Sequence, residues 1–222
     1  MKTFQPKLIM IDLDGTLVDS VPDLAYCIDE MMVKLGLQKW GETQVRHWVG
    51  NGVPKLVERA LTGELDGQPI REVFDAAYPI FLDLYEDNNA QRSYLYDGVR
   101  EGLDYLKSQG YQLGCVTNKS EQFTHPLLKV LGIFNDFKII ISGDTLAKRK
   151  PDPMPLLYCA EHFNLKPEDC LMLGDSVSDV KAARAAGFDI ICMSYGYNHG
   201  NDISVENPDL VIDSMSQLSD HL

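Results

Sequence analysis

The stretch that decides the fold is LIMIDLDGTLVDS, residues 8–20. An apolar run climbs to Ile11, and then two aspartates stand one residue apart, Asp12 and Asp14, followed by Gly15 and Thr16. The run reads as a buried strand. Two carboxylates so close repel, and each resists ionising beside the other. A strand that ends this way needs something to offset the repulsion.

Working outward, YQLGCVTN, FKIIIS and CLMLGD are further short apolar runs bounded by turn residues. DIICMS gives a fifth strand and DLVID a sixth. Between them lie helical patterns such as GVREGLDYLKSQG and SVSDVKAARAAG, the second ending at Gly187 as a C-cap would. Strands alternating with helices predict an α/β fold, a doubly wound parallel sheet, and such continuous apolar runs fit strands covered on both faces. From about Ser20 to Gln91 only helical periodicity appears. SVPDLAYCIDEMMVKLGL places Ser20 as an N-cap, Pro22 in the first turn and Leu24, Ile28, Met31 and Leu35 on one face. VPKLVERAL and REVFDAAYPIFLDLYED continue the pattern, with Pro79 expected to kink or split the latter. The predicted organisation is therefore a core of residues 1–18 and 92–222 with an all-helical insert at 19–91.

Composition narrows the functional classes. A chain of 222 residues with 45% hydrophobic content is long enough for a sizeable core. The net charge of -13 argues against nucleic acid or an anionic membrane as partner, because both reward basic surfaces. An anionic substrate would need local help from a metal or a few placed cations. The five cysteines are scattered without a close pair, which predicts reduced thiols in a cytoplasmic protein. The apolar run before Asp12 is too short for a signal peptide or a membrane span. A monomer or homodimer is expected.

In a doubly wound sheet, ligands gather at the carboxyl ends of the strands. There the sequence supplies Asp12 and Asp14, Thr117 and Asn118, Asp175 with Asp179 one helical turn on, and Lys150 ahead of Pro151. Several carboxylates converging on one point need a hard divalent cation, and Mg2+ takes such oxygen ligands. One carboxylate can then attack phosphorus to form an aspartyl-phosphate. A second, protonated, can donate to the leaving alkoxide and later deprotonate the hydrolytic water. Lys150 and Thr117 are suited to hold phosphoryl oxygens. Each element has a plainer explanation as a turn or surface residue; their joint occurrence at strand ends does not.

These residues resemble the haloacid dehalogenase superfamily of phosphotransferases. DLDGT, VTN, KPDP and GDSVSD look like its four motifs, in order, across nearly the whole chain. The resemblance implies a small phosphate ester as substrate, Asp12 as nucleophile and Asp14 as general acid/base. It implies phosphate binding by Thr117, Asn118 and Lys150. It also implies Mg2+ held by Asp12, the backbone carbonyl of Asp14 and Asp175, with Asp179 in support, and makes the insert a cap. Asp14 sets the chain apart from the dehalogenases and the phosphonate-cleaving branch, and Thr16 leans towards a phosphatase rather than a sugar phosphomutase. RHWVGNGVPKLVERAL, YGYNHG and PDLVIDSMSQL are similar to the bacterial phosphoglycolate phosphatase branch. On that reading Gly50, Asn51 and Gly52 form a loop at a helix N-terminus that favours a carboxylate. Lys55 and Arg59, one turn apart, would add positive charge, with surface ion pairing as the competing role.

Two other readings stand beside this one. The first is a phosphatase of another small metabolite, or a phosphomutase like β-phosphoglucomutase. The second is a receiver-like signalling module that accepts a phosphoryl group on Asp12, although such a module has no use for an insert that closes over its aspartate. The five histidines show no metal-ligand spacing, Trp48 is expected to pack in the core, and Asp144 and Asp213 are expected in turn or solvent roles.

Overall fold

The computed structural model describes residues 3–222. Strand β1 (Leu8–Ile11) is hydrogen-bonded on both sides and fully buried, which is why its sequence is apolar without alternation. Four more parallel strands were read correctly beside it: β4 (Gln112–Val116), β5 (Ile139–Ile141), β6 (Cys170–Gly174) and β7 (Asp189–Met193). The sixth is β8 (Leu210–Ile212), and the sheet runs β5-β4-β1-β6-β7-β8. Side chains alternate between faces with the period of two that strands impose. Ile9, Ile11, Leu113, Cys115, Leu171 and Leu173 share one core with helices α5 (Val99–Ser108) and α6 (Glu121–Val130). Leu8, Met10, Met172 and Ile190 share the other with α7 (Met154–His162) and α8 (Val177–Ala186). The chain leaves β1 towards β4 and β5, then crosses to β6 on the opposite side. The crevice at the carboxyl end of β1 is therefore a topological switch point.

Between β1 and α5 the chain makes a feature that its sequence does not announce. Val18–Asp19 (β2) pairs antiparallel with Tyr94–Leu95 (β3), two residues against two. The ribbon brackets four helices: α1 (Val21–Lys34), α2 (Glu42–Arg46), α3 (Val53–Thr62) and α4 (Arg71–Asn88). These helices bury their own cluster, including Ile28, Trp48, Leu56, Phe81 and Tyr85, to which Phe123 and Tyr197 are added from the main body. Asp23, buried in the first turn of α1, closes the unit by accepting the backbone N–H of Arg92 (2.8 Å) and Ser93 (3.0 Å).

Two local expectations need correction. Pro79 does not split α4, which runs unbroken over eighteen residues. The missing proline N–H is one lost bond, and Ala77, Phe81 and Tyr85 on the buried face outweigh it. Ser20 stands at the N-cap position of α1 but does not cap it; its hydroxyl donates to Asp14 at 2.6 Å. Gly187, by contrast, ends α8 in the left-handed conformation, φ +77°. All five cysteines are free and buried. Among the described residues, no helix is long and apolar enough to cross a membrane.

Candidate active site

The residues read from strand ends converge at the switch point. Asp12 extends the ladder by donating its N–H to Leu173 (2.9 Å), and its side chain lies 2.8 Å from Lys150 Nζ. Lys150, on the loop after β5, is 2% exposed and donates to the carbonyl of Val116 at 2.6 Å. Its ammonium also stands 2.7 Å from Asp179 Oδ1. Asp175 accepts the Thr16 hydroxyl (2.7 Å) and the Tyr197 N–H (2.6 Å). Asp179 Oδ2 accepts the N–H and hydroxyl of Ser176, and one helical turn thereby fixes both acids. Asn118 donates to the carbonyl of Lys150 at 2.9 Å, tying the second strand end to the lysine loop. Thr117 Oγ1 accepts the N–H of Lys119 (3.1 Å), so its own hydroxyl hydrogen remains to donate.

Close packing explains the glycines here. A Cβ on Gly15, whose φ is +90°, would stand 2.3 Å from Asp175 Oδ2, and one on Gly196 would stand 2.2 Å from Asp175 Cβ. Asp175 is thus pressed between two backbones that only glycine permits.

Burial and mutual repulsion shape the charges. Burial pushes the Asp12 carboxyl up to about 7, against the pull of Lys150. Asp175 is raised well above the ordinary carboxylate range by burial and then by the charges of Asp179 and Asp12. Burial alone would depress Lys150, but Asp12 and Asp179 more than offset it and hold the ammonium charged.

Oxygens of Asp12, Asp175 and Asp179 all lie within 4.8 Å of one another and all three residues are buried. Asp179 Oδ1 is buried with an ionic neighbour but no aligned hydrogen-bond donor. With all four carboxylates ionised (Asp12, Asp14, Asp175, Asp179), the two ammoniums of Lys150 and Lys119 would match only two of the charges. An all-oxygen donor set with that imbalance fits a hard divalent cation.

Sequence reasoning missed Lys119. It is 5% exposed, its Nζ lies 3.0 Å and 3.3 Å from the two oxygens of Asp14, and it sits 5.0 Å from the centroid of the Tyr85 ring. A lysine after a strand end is ordinarily solvated. The available signal was its position directly after Thr117 and Asn118.

From the segment between β2 and β3, Leu24, Val49, Gly50, Gly52, Val53 and Leu56 line the crevice. Two predicted cations are not among them. Arg59 is buried and turned inward, donating to the carbonyls of Trp48 and Leu65 and to Asn51 Oδ1 (2.8 Å). Lys55 pairs with Glu58 at 2.9 Å. Asn51 is held by Arg59 and does not line the cavity, so of the predicted cap residues only Gly50 and Gly52 reach it. The insert's wall of the cavity is apolar, which removes the expected positive charge from that side.

A buried carboxylate cluster with a lysine at the switch point of a doubly wound sheet is suited to hold a divalent cation and to handle a phosphoryl group. The chain belongs to the haloacid dehalogenase-like hydrolase family, whose pattern matches residues 9–193. It is 60% identical over 218 residues to a phosphoglycolate phosphatase of Nitrosococcus oceani, covering 98% of this chain and 97% of the relative. It is 45% identical over 209 residues to a phosphoglycolate phosphatase of Nitrosospira multiformis, covering 94% and 92%. A crystal structure described as a predicted phosphoglycolate phosphatase from Haemophilus somnus 129pt superposes with a TM-score of 0.91 at 36% identity, over 97% of each chain.

Proposed function

We propose that this protein is a cytoplasmic, Mg2+-dependent phosphatase that hydrolyses 2-phosphoglycolate to glycolate and phosphate. The buried triad of Asp12, Asp175 and Asp179 around Lys150 carries the reading, and the similarity to phosphoglycolate phosphatases supports the substrate. Mg2+, held by Asp12, Asp175 and the Asp14 carbonyl with Asp179 behind them, would neutralise the carboxylates and the phosphoryl oxygens.

Asp12 Oδ attacks phosphorus, and the ester oxygen leaves as the aspartyl-phosphate forms. Asp14 stands two residues on, at the end of the same strand, and gives its proton to the departing alkoxide. It then takes a proton from the water that attacks the phosphoenzyme, which releases phosphate and restores Asp12. Lys150, Thr117 and Asn118 hold the phosphoryl oxygens, where charge spreads in the transition state. The helices of residues 19–91 act as the cap: their apolar wall excludes water, which strengthens each charge contact inside.

Mg2+-dependent phosphate release from a panel of phosphate esters, ranked by kcat/KM, tests the proposal. A preference for 2-phosphoglycolate of about a hundredfold or more supports it. A flat profile, or a preference for a hexose phosphate, overturns the substrate and favours the sugar-phosphate reading.

A further inference from the structure

A substrate with a phosphate and a carboxylate presents two anions, and the cavity must answer both. Among the described residues lining it, the cations are Lys150 and Lys119. Lys150 is committed to Asp12 and Asp179, at the phosphoryl end. The insert supplies only apolar side chains and glycine backbone. Lys119 is different: it is buried, it faces the cavity, and its carboxylate partner is Asp14 alone. A buried ion pair of this kind gains little net stability over apolar packing, because desolvating both charges offsets their attraction.

Asp14 is the group that meets the ester oxygen, and in a phosphoglycolate the carboxylate lies one carbon beyond that oxygen. A lysine in contact with Asp14 is therefore beside the place where that carboxylate must sit. The other wall of the ammonium's surroundings is the Tyr85 ring from α4, with its centroid 5.0 Å from Nζ and its buried hydroxyl without an aligned hydrogen-bond partner. Asp14 neutralises part of the ammonium's charge, and burial keeps water from screening the rest.

We infer that Lys119 is the specificity-determining residue for the substrate carboxylate, which it recognises while it remains beside Asp14. The inference rests on the phosphoglycolate reading above. It assigns to the core a discrimination that the sequence placed in the cap, at Lys55 and Arg59. Lys119 binds the carboxylate through a charge-assisted hydrogen bond in a site closed by the insert, so an uncharged analogue leaves the ammonium only half satisfied. One further cation stands near the entrance. The Arg149 guanidinium lies 3.0 Å from where a Cβ on Gly52 would be, but Arg149 is exposed and solvated.

The test compares kcat/KM for 2-phosphoglycolate with that for 2-hydroxyethyl phosphate, which has the same length and no charge beyond the phosphate. It is run on the wild type, Lys119→Met, Lys119→Gln and Arg149→Met. Damage to Asp14 or to the fold lowers both substrates together and cancels in the ratio. The expected result is a wild-type preference that falls by about ten- to a hundredfold in both Lys119 variants and stays in Arg149→Met. Lys119→Gln keeps a polar side chain of similar length should the methionine fail to fold. A preference retained in the Lys119 variants, or lost in Arg149→Met alone, overturns the inference. A wild type that does not distinguish the two esters overturns the phosphoglycolate reading instead.

Discussion

Replacing Arg59 with methionine separates a structural clamp from a substrate ligand. The guanidinium reaches three acceptors: the Trp48 carbonyl in a buried contact, and the Leu65 carbonyl and Asn51 Oδ1 in partly buried ones. Methionine keeps much of the apolar stem and removes all three donors. The buried carbonyl left without a partner costs ~1–3 kcal/mol, and the two that water can reach cost ~0.5 kcal/mol each. Relief of the desolvated charge, which burial already penalises at Arg59, offsets part of this loss. The net loss is ~2 kcal/mol, or ~4–8 °C in Tm for a chain of this size. With its anchor gone, the loop at Gly50, Asn51 and Gly52 loosens, so KM rises more than kcat falls. Thermal melting, steady-state kinetics and amide exchange across residues 48–53 read these effects. A variant with wild-type Tm and unchanged loop exchange, but a raised KM, would refute the clamp and return Arg59 to the substrate.

Other expectations follow from the same geometry. Asp12→Asn should lower turnover by ~10⁴-fold or more while circular dichroism and melting stay those of a folded protein; near-normal turnover contradicts its role as nucleophile. Gly196→Ala puts a methyl group 2.2 Å from Asp175 Cβ, so calorimetry should show cation affinity lowered by about tenfold or more, and unchanged affinity would contradict the packing argument. Without a cation, Asp12 and Asp175 are raised above the ordinary carboxylate range, so ionising them costs the folded state more than the unfolded one. Their contribution is then fully present below the ordinary carboxylate pKa and lost as pH rises through about 7. Saturating Mg2+ cancels that cost, and should raise Tm more at about pH 8 than at about pH 5.5; equal gains would contradict the assignment.

The sequence carried the sheet because its inner strands are covered on both faces, leaving short apolar runs such as LIMI bounded by turn residues. It carried the strand-end acids for a topological reason: whatever the details of packing, the carboxyl ends of parallel strands open on one crevice. Side-chain direction was not legible. Ser20 has the composition of an N-cap, yet its hydroxyl goes to Asp14, because tertiary contact outweighs a local preference. Lys55 and Arg59 are correctly one turn apart on α3, but only packing reveals that Arg59 turns towards Trp48 rather than the substrate. The β2–β3 ribbon is two residues wide, too short for any period to register. Lys119 was hidden by the ordinary expectation that lysines are solvated, an expectation overcome here by Asp14.

On the proposed mechanism Asp12 carries the phosphoryl group. Asp14→Asn should slow breakdown of the phosphoenzyme, so this variant is mixed with Mg2+ and 2-phosphoglycolate, quenched within the first turnover and reduced with borohydride. An acyl phosphate on aspartate becomes homoserine, which mass spectrometry locates in the digested chain. Homoserine is expected at position 12 and nowhere else. Rapid turnover with no modified residue, or homoserine at another aspartate, would contradict it.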